Sequence, residues 1–109
     1  MIIRPAEMDD IEAIIEIGKR GHAASENARY EFDVGRTKLL LASFIIGKRT
    51  CVFVAVDGDK IVGLLLGQED EYGYLKMKYA TYIATYAEVP GAGKKLLKRF
   101  EEWAFNERK

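Results

Sequence analysis

The stretch that most constrains this chain runs from Ile83 to Leu97, between a β-rich run and a helical one. The β-rich run, Tyr79-Ala80-Thr81-Tyr82-Ile83-Ala84-Thr85-Tyr86, enters a short turn, Pro90-Gly91-Ala92-Gly93. A helical pattern follows at once, with Leu96, Leu97, Phe100, Trp103 and Ala104 on one stripe. A strand, a glycine turn and a helix in that order aim unpaired backbone N–H groups out of a helix N-terminus, where the macrodipole adds partial positive charge. Such a place suits a phosphate. Gly91 and Gly93 lack Cβ, so both can take positive φ and let a ligand come close to the backbone. A plain strand-to-helix connection fits the same residues.

Spacing excludes two phosphate motifs. A P-loop requires G-x-x-x-x-G-K-[ST], but Glu88 stands where its first Gly belongs and Lys95 where its hydroxyl belongs. A dinucleotide fingerprint requires a third Gly where this chain has Leu96, and an acidic residue about twenty positions further on.

The segment Glu88-Val89-Pro90-Gly91-Ala92-Gly93, followed by Lys94-Lys95-Leu96-Leu97, resembles motif A of the GCN5-related N-acetyltransferases, [QR]-x-x-G-x-[GA]. The opening residues, I-I-R-P-A-E-M-D-D-I-E-A-I-I-E-I, also resemble the first strand and helix of that family. Two matching regions in the right order are more specific than either alone. The resemblance implies acetyl-coenzyme A as cofactor, with Ile83 and Thr85 contacting the pantetheine. It further implies that Val89, Pro90, Gly91, Ala92, Gly93 and Lys94 cradle the pyrophosphate. Glu88 replaces the usual Gln or Arg, and a carboxylate there repels a diphosphate.

Composition bounds the rest. The 109 residues suffice for one domain, 1–109, and are too few for two. Apolar residues make up 49%, enough for a packed core rather than disorder. Formal net charge is zero, so no global field steers the chain to nucleic acid, to a membrane surface or to an acidic partner. No apolar run is long enough to span a bilayer and no signal-peptide core opens the chain, so a cytoplasmic location is expected. One cysteine, Cys51, precludes an internal disulfide and fits a reducing compartment. Its place beside the β-run Val52–Val56 reads as a buried, inert thiol.

Met1 to Arg4 reads as a short strand stopped by Pro5, and Asp9 and Asp10 as the acidic first turn of a helix with Ile11, Ile14, Ile15 and Gly18 on one face. Gly21 is its expected stop. Residues 22–35 read as a polar, irregular loop, with His22 in a surface or capping role. By position, the resemblance makes Glu26, Arg29, Tyr30 and Phe32 of this loop candidate substrate contacts. Thr37 to Ile46 reads as a second buried helix, although so short an apolar run also fits a strand. Cys51–Val56, Asp57-Gly58-Asp59 and Lys60–Gly67 form a hairpin signal, because Gly supplies the positive φ a primed turn needs.

Gln68 to Gly73 reads as an acidic loop. A carboxylate of Glu69 or Glu71, crowded by like charge and desolvated in a pocket, is a candidate base toward an amine. The long strand Tyr74–Tyr86 then alternates, placing Ala80, Tyr82, Ala84 and Tyr86 on one face. No H-x-x-x-H or C-x-x-C spacing marks a metal site.

The expected fold is α/β: a mixed, mostly antiparallel sheet with flanking helices, corresponding to the N-terminal half to two-thirds of the acetyltransferase fold. The strand before the glycine turn then forms a sheet edge, which invites a second chain: a homodimer is expected, with a swapped arrangement or a fragment of a longer product as alternatives. The expected activity is transfer of acetyl from acetyl-coenzyme A to a primary amine on a small molecule or protein, and the alternative is a non-catalytic module of the same fold.

Overall fold

A computed structural model describes residues 1–71 and 78–107. Strand β1 (Ile2–Pro5) leads through a 3₁₀ turn (Met8–Asp10) into α1 (Ile11–Ala23), followed by α2 (Val34–Ile46). Strands β2 (Thr50–Asp57), β3 (Lys60–Glu71) and β4 (Lys78–Ala87) come next, then α3 (Ala92–Glu102) and a closing π-helical turn (Trp103–Glu107). The sheet order is β1-β2-β3-β4, and all three ladders are antiparallel.

Alternation along β2 and β3 divides the core into two layers. Val52, Val54, Leu64 and Leu66 face α1 and α2, burying Ile14, Ile15, Ile17, Leu41 and Phe44. Cys51, Phe53, Ala55 and Leu65 face α3, burying Ala92, Leu96, Phe100 and Trp103. Each large side chain so buried contributes roughly 1.5–3 kcal/mol. Burial also pushes the Cys51 thiol up to about 12, so almost none of it is thiolate near neutral pH and it is inert.

Asp9 and Asp10 lie in the 3₁₀ turn that precedes α1 rather than in the helix itself. Asp10 accepts from the Glu7 backbone N–H at 2.7 Å and from both terminal nitrogens of Arg4 at 2.7 and 3.0 Å. The helix does not stop at Gly21 but runs to Ala23. A Cβ at Gly21 would come within 2.8 Å of the Tyr86 ring, so glycine is needed there for close approach of α1 to β4, not as a cap. Helix α2 begins three residues earlier than expected because Asp33 caps it, its Oδ1 accepting from Arg36 N at 2.9 Å. Gly58 takes φ 67° at the β2–β3 turn, as the hairpin signal requires.

Two expectations fail at the far end of the sheet. Residues 68–71 are not loop: they extend β3 and pair with Thr81, Ala80, Tyr79 and Lys78. Ladder hydrogen bonds outweigh the low β-propensity of the carboxylates there. The second failure is the face of β4. Leu66 pairs with Ala84 but Gly67 pairs with Tyr82, so Ile83 is an extra residue, a β-bulge. The bulge breaks the alternation. Tyr86 packs with the α1 layer, whereas Tyr82 meets Phe100 edge-on at 5.8 Å on the α3 side. The expected strand start at Tyr74–Met77 lies outside the described residues.

Candidate functional site

Strand β4 pairs with β3 alone among the described strands, so its other edge presents backbone groups outward. At its end Glu88 N–H donates to Val62 O at 2.8 Å, the last tie before the turn. Gly91 then takes φ 86° as the N-cap residue of α3, and Gly93 follows inside the helix with an ordinary φ. The expectation of positive φ holds for Gly91 and not for Gly93, because a residue one turn-position inside α3 must be helical. Ala92 N–H donates to Val89 O at 3.1 Å. No side chain caps α3, and its first turn carries no acidic residue. The amides of Gly93 and Lys94 are thus in the position where a helix accepts an anion, with open space around Gly91 where its Cβ would stand. An exposed Lys94 adds positive charge. These residues fit a diphosphate.

Glu88 does not confront that seat as a bare carboxylate. Its two oxygens accept from Arg20 Nε and Nη2 at 2.7 and 2.9 Å, and Oε2 also accepts from the Tyr86 hydroxyl at 3.2 Å. The repulsion expected from sequence is offset by a guanidinium brought from α1, 68 residues away in the chain. The Arg20 hydrogen bonds, chiefly, hold the Glu88 carboxyl below its ordinary value of 4.5. A carboxyl depressed in the folded state contributes stability above its unfolded value, and that contribution is lost as pH falls through the folded value. Melting temperatures of the native chain and Glu88→Gln are therefore expected to differ near pH 7 and to converge as the pH falls below the ordinary carboxylate range and through the depressed folded-state value. A gap that is unchanged at acid pH would show that the clasp does not stabilise the fold.

Beside the bulge, a cleft of about 540 Å³ opens between α1, α2 and β4. Its walls include Ile14, Phe32, Leu41, Leu64, Leu66 and residues 82–86. Ile83 and Thr85, the expected pantetheine contacts, line it. Thr85 Oγ1 is turned inward, donating to Leu64 O at 3.2 Å. Of the expected substrate contacts, Phe32 lines the cleft but Glu26, Arg29 and Tyr30 do not. Arg29 instead stacks over the Tyr30 ring at 4.9 Å and donates to its hydroxyl at 3.0 Å, so the two satisfy each other on the surface. Ser25, Asn27 and His22 of the same region line the cleft in their place. His22 Nε2 lies 2.6 Å from Tyr30 O, so that nitrogen carries the hydrogen and donates.

Glu69 and Glu71 are elsewhere. Glu69 is buried, and both carboxylates lie 3.3 Å from Arg49 Nη2, at the opposite side of the sheet end from the cleft wall. No carboxylate lines the cleft among the described residues. Nor does any cluster of three or more His, Cys, Asp or Glu there form a candidate metal site. No described helix is long and apolar enough to cross a membrane.

Antiparallel strands β1–β4, two helices on one face, and α3 springing from a glycine turn on the other make this the fold of the GCN5-related N-acetyltransferases. The chain is similar in structure to an acetyltransferase from Vibrio fischeri, at 21% identity and TM-score 0.68, over 94% of this chain and 84% of that one. It is similar also to aminoglycoside 6'-N-acetyltransferase from Acinetobacter haemolyticus, at 16% identity and TM-score 0.74, over 95% and 71%. An aminoglycoside acetyltransferase from an uncultured soil metagenomic sample aligns at 22% identity and TM-score 0.70, over 94% and 68%. No protein-family model matches the sequence, and no curated protein does.

Proposed function

We propose that this chain is an N-acetyltransferase that moves an acetyl group from acetyl-coenzyme A to a primary amine. The observation that carries the reading is the uncapped start of α3, reached through left-handed Gly91 at the end of an open-edged strand. In this reading Val89, Pro90, Gly91, Ala92, Gly93 and Lys94 hold the pyrophosphate, with Glu88 held aside by Arg20. Ile83 and Thr85 offer backbone to the pantetheine as a neighbouring strand would. Acetyl-coenzyme A supplies the activated thioester. The bulge at Ile83 leaves a backbone amide outside the ladder, suited to polarise a carbonyl next to the cleft. The cleft holds the amine near that point, and positioning supplies most of the rate. Glu69 and Glu71 serve as base only if Arg49 releases them, so water is the proton acceptor in this reading. Calorimetric titration with acetyl-coenzyme A tests it: saturable, stoichiometric binding is expected, and no heat of binding overturns it.

That no carboxylate lines the cleft among the described residues favours a second reading, a binding module of the same fold that holds the cofactor without turnover. Binding without thiol release for any amine would select it. The location we propose is cytoplasmic, in keeping with the single unreactive thiol.

For the outer edge of β4 we propose a homodimer. Residues 79–82, beyond the bulge, carry no charged side chain to guard the edge. A groove lined by Leu97, Phe100 and Phe105 lies alongside, with Phe105 82% exposed. Twofold pairing of residues 79–82 covers this surface and leaves Ile83 and Thr85 to the cofactor. Light scattering is expected to give twice the chain mass, reduced to the monomer by Phe105→Glu; a native chain that is monomeric at high concentration rules the pairing out.

A further inference from the structure

The polar inventory of the cleft is narrow. Its lining includes no Asp, Glu, Lys or Arg among the described residues. Its hydroxyl hydrogens are largely committed to the protein: Ser25 Oγ donates to His22 O at 2.7 Å, Thr37 Oγ1 to Asp33 O at 2.8 Å, Thr85 Oγ1 to Leu64 O and the Tyr86 hydroxyl to Glu88. Asn27 and the second nitrogen of His22 remain to meet a ligand, between walls of Ile, Leu, Phe and Tyr.

An alkylammonium held against the apolar walls of such a cleft gives up part of its hydration and meets no carboxylate in the lining among the described residues, and a charge desolvated without compensation is costly. It would also need a base to become a nucleophile. A weakly basic aromatic amine has neither difficulty, since it is neutral near pH 7 and its ring buries against aliphatic and aromatic walls. From these observations we propose that the acceptor is an apolar aromatic amine, not an aliphatic polyamine. This rests on the acetyltransferase reading above. The amine lone pair forms the new C–N bond, the thioester C–S bond breaks, and the proton lost by nitrogen passes through water to the departing sulfur. Nothing else is consumed, and no carboxylate is needed to create the nucleophile.

Three probes decide it: 4-butylaniline, its near-isostere 4-phenylbutylamine, and tobramycin. Thiol release from acetyl-coenzyme A is expected to show kcat/KM at least about tenfold higher for the aniline than for the phenylbutylamine, a difference of one decade in transition-state affinity, with none for tobramycin. Leu40 is half-exposed at the cleft rim, so Leu40→Glu is tolerated by the fold and is expected to reverse the order of the first two. Equal rates, or a native preference for either ammonium compound, overturn the proposal. Calorimetric binding of the same amines without cofactor separates the two readings. A chain that ignores acetyl-coenzyme A yet binds the aniline over the phenylbutylamine loses the activity and keeps the cleft assignment, whereas one that binds neither loses both.

Discussion

Acetyl-coenzyme A at ~100 times its dissociation constant is expected to stabilise the native chain by ~2.7 kcal/mol, and Gly91→Glu is expected to abolish that gain. The effect follows from where residue 91 stands. Its φ of 86° lies in the left-handed region, and a Cβ there meets no atom within 4 Å. Substitution therefore produces no clash but costs about 1–2 kcal/mol of backbone strain. Gly91→Ala isolates that cost and is expected to lower stability while keeping most of the ligand-induced shift. Gly91→Glu adds a carboxylate at the N-terminus of α3, where it competes for the amides of Gly93 and Lys94 and repels a diphosphate. Thermal unfolding of the three chains with and without ligand measures the difference. If Gly91→Glu shifts as far as the native chain, the amides of α3 are not the diphosphate seat.

What the sequence disclosed was local. The Asp57-Gly58-Asp59 turn and the strand–glycine–helix passage depend on residues a few positions apart, and both are in place. The α1 and α2 spans follow from helical spacing of isoleucines and leucines; their boundaries differ because Gly21 serves close packing rather than a stop and because Asp33 caps α2. What stayed hidden depends on distant partners. Gln68 to Glu71 looked like a solvated loop because its composition is acidic, yet the ladder with β4 fixes it as strand. One extra residue at Ile83 moved Tyr82 to the other face of the sheet, and no pattern within β4 marks that residue, since a bulge is defined against the neighbouring strand. The same limit applies to the site. Gly91 could be read from its own turn, whereas the Arg20–Glu88 clasp joins residues 68 apart. Alternation through residues 24–33 gave no means of preferring Ser25 and Asn27 over Glu26 and Arg29 as the cleft-facing set.

Leu96→Ala is expected to cost about 2–5 kcal/mol, whereas Leu97→Ala stays near 0.5 kcal/mol, although the two residues are adjacent. Leu96 is completely buried, and its Cδ1 would stand 3.0 Å from a Cβ at Gly63. The glycine is what lets α3 settle this close to β3. Ala55 stands beside the same spot and shares the buried cluster with Ala92 and Leu96, and an alanine methyl cannot extend to refill a space left by leucine. Leu97 is 38% exposed at the edge of the groove beside β4 and loses little on truncation of the monomer. Urea unfolding with unchanged m-values measures both costs. The larger loss has a functional corollary. The ladder places β4, but α3 is held to the sheet by its buried stripe of Ala92, Leu96 and Phe100, one turn and two turns from the proposed diphosphate seat. Loosening that stripe moves the amides relative to Ile83 and Thr85, so Leu96→Ala is expected to weaken acetyl-coenzyme A binding several-fold under conditions where the variant is still folded. Binding as tight as in the native chain, despite the loss of stability, would mean that the turn at Gly91 keeps its geometry without help from the helix behind it.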